Sequence, residues 1–349
     1  MLHTSHDIVV TGLAAISSAG VGLSPLQETL RSGVSRLKPM PLEVTGEPGH
    51  LWGRAEDFRV ADFMSPLKAR KFDRCSLFAV VAAGMALADA GIDLTRIDRT
   101  RIGIVLGCGF GGVPNSEEFL RGYFTRGADG LVPMLFPNTV PNAPASNASI
   151  EYGLKGPNVT HVQRLCSAES AFFMARRFLE EGRADIMISG GADEIHPVII
   201  QGFKDMGQLR RYGASFAEGA GLLVLEKKSH AVDRGAVVRA DVGPGRTIGL
   251  LPSGREAEGL ERLLGSDVQP SLVSFSGTAA GMPLLTGRFD SVPSISPGNL
   301  LGRSLAMGGL AMVSLVLSLP PGARGLHLAA SPEGPYYATD FVGGEPVQP

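Results

Sequence analysis

The chain has 349 residues, 44% of them hydrophobic and 19% charged, with 32 Lys and Arg against 34 Asp and Glu and a formal net charge of -2. That balance argues against nucleic acid or an anionic membrane as partner, and the length suffices for a large core or two closely packed halves. Three cysteines (Cys75, Cys108, Cys166) without a C-x-x-C spacing suggest neither a disulfide framework nor a metal site. The opening Met1 to Asp7 lacks a basic region followed by an apolar stretch, and no run approaches the ~18 apolar residues of a membrane span. A soluble, cytoplasmic protein without cofactor is expected.

In chain order, Ile8-Val9-Val10-Thr11-Gly12 reads as a buried strand ending in a glycine turn. Phe72 to Ala90 carries apolar residues at helical spacing and stops at Gly91, a C-cap signal. Arg101 to Gly107 is a second strand, and Leu131 to Asn147, rich in Pro and Asn, reads as an ordered loop. Val159 to Leu165 is a third strand, followed by a helix from Ser167 to Glu181 that Gly182 ends. Asp185 to Ser189 and Ala220 to Leu225 are further strands. Glycine and proline punctuation at Gly243-Pro244-Gly245 and Leu251-Pro252-Ser253-Gly254 marks passage into a shorter second half. That half has strands at Leu272 to Phe275 and Leu326 to Leu328, with an apolar helix between them from Leu305 to Leu317. Strands alternating with helices predict a layered α/β fold.

Gly107-Cys108-Gly109-Phe110-Gly111-Gly112 after a strand fits G-x-G-x-x-G, with Asp129 as a conceivable ribose ligand. However, Asp129 follows a glycine turn rather than a second strand, and the pattern alone is weak.

A more specific set of motifs runs along most of the chain. Val9 to Leu13 with Ser18-Ala19-Gly20-Val21-Gly22, Asp73-Arg74, and Asp89-Ala90-Gly91 come first. Next come Gly156-Pro157 through Leu165-Cys166-Ser167-Ala168, Gly182 to Asp185, and Ile188 to Ala192. Ala217-Glu218-Gly219-Ala220-Gly221, Leu225-Glu226 and Arg234-Gly235-Ala236 complete the set. In this order and spacing they resemble the β-ketoacyl-acyl-carrier-protein synthases, which have the thiolase fold. The resemblance implies a duplicated α/β unit in α-β-α-β-α layers, with a first half over residues 1–236 and a shortened second half over 237–349.

Condensation in that family uses a cysteine thiolate at a helix N-terminus, two histidines that stabilise charge, and a supporting lysine. Aligned without gaps from Gly156-Pro157 to Gly182, the nucleophile column falls on Leu165. The two histidine motifs appear as Ser276-Gly277-Thr278 and Gly298-Asn299-Leu300-Leu301-Gly302, and the lysine column as Ser294. All four functional positions, Leu165, Ser276, Ser294 and Asn299, are thus replaced. The family's closing Phe-containing loop has no counterpart in Tyr336 to Gly344. The resemblance therefore implies a chain length factor, the non-catalytic β-subunit of a type II polyketide synthase. Such a subunit pairs with an active ketosynthase through the strand before the elbow, here Val159 to Arg164, and shares with it an acyl channel served by acyl carrier protein. Chain length factors usually carry Gln in the nucleophile column; here Gln163 is only nearby. Gate positions carried over from the resemblance are Gly112, Asn115 and Phe119, which an ordinary amphipathic helix would equally explain.

Shifting the alignment by one residue places Cys166 at the helix start, which would make the chain an active synthase or acyltransferase. A small buried residue beside the elbow is the competing reading. None of the histidines at 3, 6, 50, 161, 196, 230 and 327 occupies a motif position, and His161 reads as a core or interface residue. Arg176, Arg177 and Arg210-Arg211 could meet an acidic carrier protein but read equally as solvated surface.

Overall fold

A computed structural model describes residues 7–209, 215–250, 254–265, 269–277, 285–331 and 334–345. Its strands are β1 (Ile8–Ser17), β2 (Gly20–Val21), β3 (Lys38–Pro39), β4 (Leu51–Gly53), β5 (Ile102–Gly107), β6 (Asn158–His161) and β7 (Ile186–Asp193). They continue with β8 (Ser215–Ala217), β9 (Gly219–Lys227), β10 (Ala240–Ile248), β11 (Leu272–Gly277), β12 (Ser294–Ile295), β13 (Arg324–Ala330) and β14 (Tyr336–Gly343). The large sheet runs β12-β11-β13-β14-β10-β1-β9-β7-β5-β6, with β2 paired to β1; β3, β4 and β8 form a small second sheet.

This order contains a repeat that no residue period reveals. In the first unit, β5 lies parallel to β6 and β7, while β9 runs antiparallel to β7 and β1. In the second unit, β11 lies parallel to β12 and β13, while β14 runs antiparallel to β13 and β10. Each unit therefore has the same spatial order and the same strand directions. They join where β1 meets β10 antiparallel, Val9 opposite Asp241. The strands β1, β5 and β7 are buried along their whole length, as apolar runs covered on both faces must be.

Helices cover both faces. Arg74–Asp89, capped by the Asp73 carboxylate accepting the Ser76 N–H at 2.7 Å, packs with Ala143–Tyr152 outside the first unit. Glu256–Leu264 lies outside the second, its Leu263 and Leu264 against Val273, Leu326 and Leu328. Between the units lie Ser167–Glu180, which buries Ala168, Ala171, Phe172, Ala175 and Leu179, and the almost wholly buried Gly308–Ser318. The result is an α-β-α-β-α thiolase-like arrangement.

Several boundaries differ from the sequence reading. The third strand stops at His161, because the chain must turn through Arg164–Cys166 to enter the helix. The predicted loop Leu131 to Asn147 contains a 3-10 turn, Pro133–Asn138, and the start of helix Ala143–Tyr152. Gly243 to Gly245 does not interrupt the chain: it lies inside β10, where the pairing with β14 shifts register between Val242 and Gly245. The predicted break at 251–253 lies outside the described residues. No helix among the described residues is long and apolar enough to cross a membrane.

Candidate functional site

The elbow is built by a backbone device. Among the described residues Arg164 is the one non-glycine with a positive φ, 52°, and helix Ser167–Glu180 starts three residues later. Ser167 Oγ accepts the Gln163 N–H at 2.9 Å and donates to the Arg164 carbonyl at 2.7 Å, clamping the turn. Successive side chains then leave in opposite directions. Leu165 packs with Met40, Ile200, Phe203, Leu209 and Leu305 at the wall of a cavity. Cys166 packs with Ala329, Tyr337 and Phe173, its Sγ 3.6 Å from the Pro335 carbonyl. Burial, reinforced by the nearby Glu169 carboxylate, pushes the Cys166 thiol well above its ordinary value. The side chain of Gln163 faces the same inner side, its Oε1 accepting the Tyr337 hydroxyl at 3.1 Å.

On that inner side the position of the first histidine motif is absorbed into a buried polar network. Ser276 donates to Glu169, and His327 Nε2–H donates to Glu169 Oε1 at 3.0 Å. The other ring nitrogen, Nδ1, is hydrogen-bonded to the Ser274 hydroxyl at 2.7 Å. Ser274 faces His327 across the parallel β11–β13 pair, and Glu169 reaches both from the elbow helix. The Glu169 carboxylate rests on Gly308, where an added Cβ would come within 2.0 Å of its Oε1, which accounts for the glycine there. Glu169 and His327 escaped the sequence reading. The available signal was a carboxylate on the apolar face of the elbow helix, between Ala168 and Phe172.

The remaining replaced positions lie elsewhere. Ser294 and Asn299 are exposed and line a shallow surface groove with Gln27, Leu30 and Arg31. Asn299 accepts from Arg303 at 3.2 Å. Thus Leu165, Ser276 and the Ser294–Asn299 pair occupy three separate environments instead of one site. Thr278 and Arg210-Arg211 lie outside the described residues. Arg176 and Arg177 are tied to Glu180 and Glu181, each at 2.7 Å. His161 is half-buried, its Nδ1 2.7 Å from Ser170 Oγ, and burial holds its pKa below the usual value.

The cavity beside Leu165 is a narrow slot open at its mouth, with about 50 Å³ of room inside. Helix Pro197–Asp205 covers it with Ile199, Ile200 and Phe203, while Phe110, Phe216 and Leu305 supply other walls. Its polar lining is sparse. Asp193 accepts the Gly109 N–H at 2.7 Å and the Ala306 N–H at 2.6 Å; burial lifts its pKa to about 6 against these bonds. Glu194 is buried with Oε1 unpartnered, and its pKa is pushed up to about 9, by burial first and then by Asp73 and Glu218. His196 Nδ1 accepts the Val198 N–H at 3.4 Å.

Gly112 does not line this cavity: an added Cβ would lie 1.7 Å from the Asn138 carbonyl oxygen. Asn115 and Phe119 sit on helix Val113–Arg126, and the Phe119 ring faces Phe136 at 5.8 Å. Phe110 and Gly111 reach the cavity instead. The glycine pattern read against a dinucleotide is taken up by packing. Gly107 backs onto the Ser167–Ala168 peptide, the Gly109 amide is held by Asp193, and Gly111 (φ 72°) meets Pro141.

The family model for the N-terminal domain of β-ketoacyl synthases matches residues 5–231. The 3-oxoacyl-[acyl-carrier-protein] synthase 2 of Staphylococcus aureus (strain COL) is 30% identical over 259 residues, covering 69% of this chain and 62% of its own length. The enzyme of the same name from Coxiella burnetii is 28% identical over 253 residues, covering 67% of this chain and 61% of its own length. The chain thus spans about 62% of the length of the first of these relatives. Among solved structures, the ishigamide ketosynthase/chain length factor superposes with a TM-score of 0.82 at 22% identity, over 97% of this chain and 100% of that one. A type II PKS acyl-carrier protein in complex with its ketosynthase bound to the hexaketide gives a TM-score of 0.82 at 21% identity, over 96% and 99%. With two thirds of its length matching the family model and the thiolase-like layers present, the chain belongs to the β-ketoacyl synthase family.

Proposed function

We propose that this chain is a non-catalytic, chain-length-factor-like subunit that pairs with an active ketosynthase and shapes the channel in which an acyl chain grows. One observation carries the reading: at the elbow an apolar Leu165 faces the cavity, while the adjacent thiol of Cys166 is turned into the core. A thiol so buried stays protonated and out of reach of a thioester. Glu169 Oε1 holds both Ser276 and His327, and Ser294 and Asn299 face a different groove. Among the described residues, the cavity lining brings no cysteine thiol beside a histidine, the pairing condensation needs.

The partner-facing surface is proposed at the β6 edge. β6 ends the sheet, and beside it helices Val113–Arg126 and Ala143–Tyr152 and the turn Pro133–Asn138 expose Phe124 (79%), Met134 (75%) and Ile150 (77%). An unpaired edge next to clustered apolar side chains favours burial by a partner. Asn115 and Phe119 remain gate proposals on this surface, as does the division of the halves at 236/237. An acyl carrier protein would deliver the chain to the pair.

Co-expression with a ketosynthase tests the reading. A stable 1:1 complex that makes defined products, unchanged by Cys166→Ala, is expected. Condensing activity by the chain alone, lost on Cys166→Ala, would overturn it in favour of the active-synthase reading.

A further inference from the structure

Two thiols distant in sequence are brought together at the ends of β5 and β7. In that parallel ladder Gly107 lies opposite Gly191, so the residues that follow, Cys108 and Ala192, continue side by side. Cys75, in the first turn of helix Arg74–Asp89, donates its S–H to the Ala192 carbonyl at 3.4 Å. Cys75, Ala192 and Cys108 belong to one packed cluster, and the two thiols are hydrogen-bonded to each other. A second contact joins the same two segments: a Cβ added at Gly112 would lie 3.4 Å from Asp73 Oδ2. Cys166 stands apart, packed with Ala329 and Tyr337. The bond to Cys108, and then burial, raise the Cys75 thiol well above its ordinary value. Cys75 therefore keeps its proton, which leaves Cys108 as the attacking sulfur. Asp193 and Glu194, the residues after Ala192, line the slot, whose 50 Å³ admits molecules little larger than water.

We propose that Cys75 and Cys108 are a reversible thiol–disulfide pair, closed by hydrogen peroxide. The Cys108 sulfur attacks one peroxide oxygen, the O–O bond breaks, and the other oxygen leaves as water, giving a sulfenic acid. The Cys75 sulfur then attacks that sulfur, the S–O bond breaks, and a second water leaves. Each water takes up one thiol proton, and the two electrons lost by the sulfurs reduce the peroxide. The bridge ties the start of helix Arg74–Asp89 to the turn that carries Phe110 into the slot. It does not depend on the subunit reading.

Peroxide treatment of the native full chain tests the proposal, followed by alkylation in denaturant and peptide mass spectrometry without reduction. The expected product links the Cys75 and Cys108 peptides at about 2 Da below the sum of their free masses, and dithiothreitol reverses it. Cys166 should remain free and take the alkylating agent. Cys75→Ala should leave Cys108 as a sulfenic acid that dimedone traps, whereas Cys108→Ala should leave Cys75 unmodified. Absence of the link in native protein, its formation only in denaturant, or links that involve Cys166 overturn the proposal. None of these outcomes bears on pairing with a ketosynthase, which co-expression reads.

Discussion

The two sides of the elbow are one peptide apart yet treat polar groups in opposite ways. On the inner side, around Cys166, Ser274, His327, Glu169 and Ser276 form one chain of hydrogen bonds within packed surroundings, with Glu169 Oε2 left unbonded. On the cavity side, around Leu165, a slot is left open, and the buried Glu194 keeps Oε1 unbonded. The inner side behaves as a core, where unmet polar groups are costly and shape is fixed. The cavity side is packed less closely and keeps a buried carboxyl that a stability argument alone would remove.

Substitutions can break this contrast, beginning with the largest effect. Gly112→Phe, which a gate on this helix would tolerate, should abolish soluble folded protein, because even a Cβ meets the Asn138 carbonyl. Phe110→Trp at the cavity wall should fold and shorten the products of the reconstituted pair; an unchanged distribution removes Phe110 from the channel wall. Next, Glu169→Leu should cost roughly 3 kcal/mol in urea denaturation, since it strands the His327 and Ser276 donors in the core. Combining it with Ser276→Ala and His327→Leu should cost less than the sum of the three, as members of one network must.

The pH response of the cavity side is the third test. The folded protein keeps the Glu194 proton up to about pH 9, whereas the unfolded chain releases it near the ordinary value of 4.5. Stability from this group is therefore full below about pH 4.5, declines as pH rises and is lost beyond about pH 9. Glu194→Gln removes that decline, so its melting temperature should gain on the parent's progressively across this window; parallel curves would place Glu194 in contact with water. The smallest effect belongs to Cys166: native protein should resist iodoacetamide at this residue and react only in denaturant, seen by peptide mass spectrometry.

The strand-turn-helix at the elbow and the layered α/β class were legible because each depends on a contiguous run. The apolar run into β6, the 3.6-residue period from Ala168 to Leu179 and the glycines around them are local signals. The reason for a glycine at Gly112 was not legible, because it is a backbone carbonyl from another segment, that of Asn138. The network at Glu169 was invisible because Glu169 and His327 are 158 residues apart, and neither position has a local pattern that distinguishes it from an ordinary helix or strand residue.

By itself the sequence determined the alternating α/β pattern, the buried strands around Ile8, Ile102 and Ala220 and the elbow helix from Ser167, and it suggested Leu165 for the nucleophile column. Tertiary structure alone decided that the two units repeat one strand order, that Leu165 and Cys166 look into different surroundings, and that Arg303 and Glu194 share a cavity. The physical reason is range. Backbone propensity and apolar period act over a few residues, but burial, charge pairing and open space are set by segments that meet only after the sheet has closed.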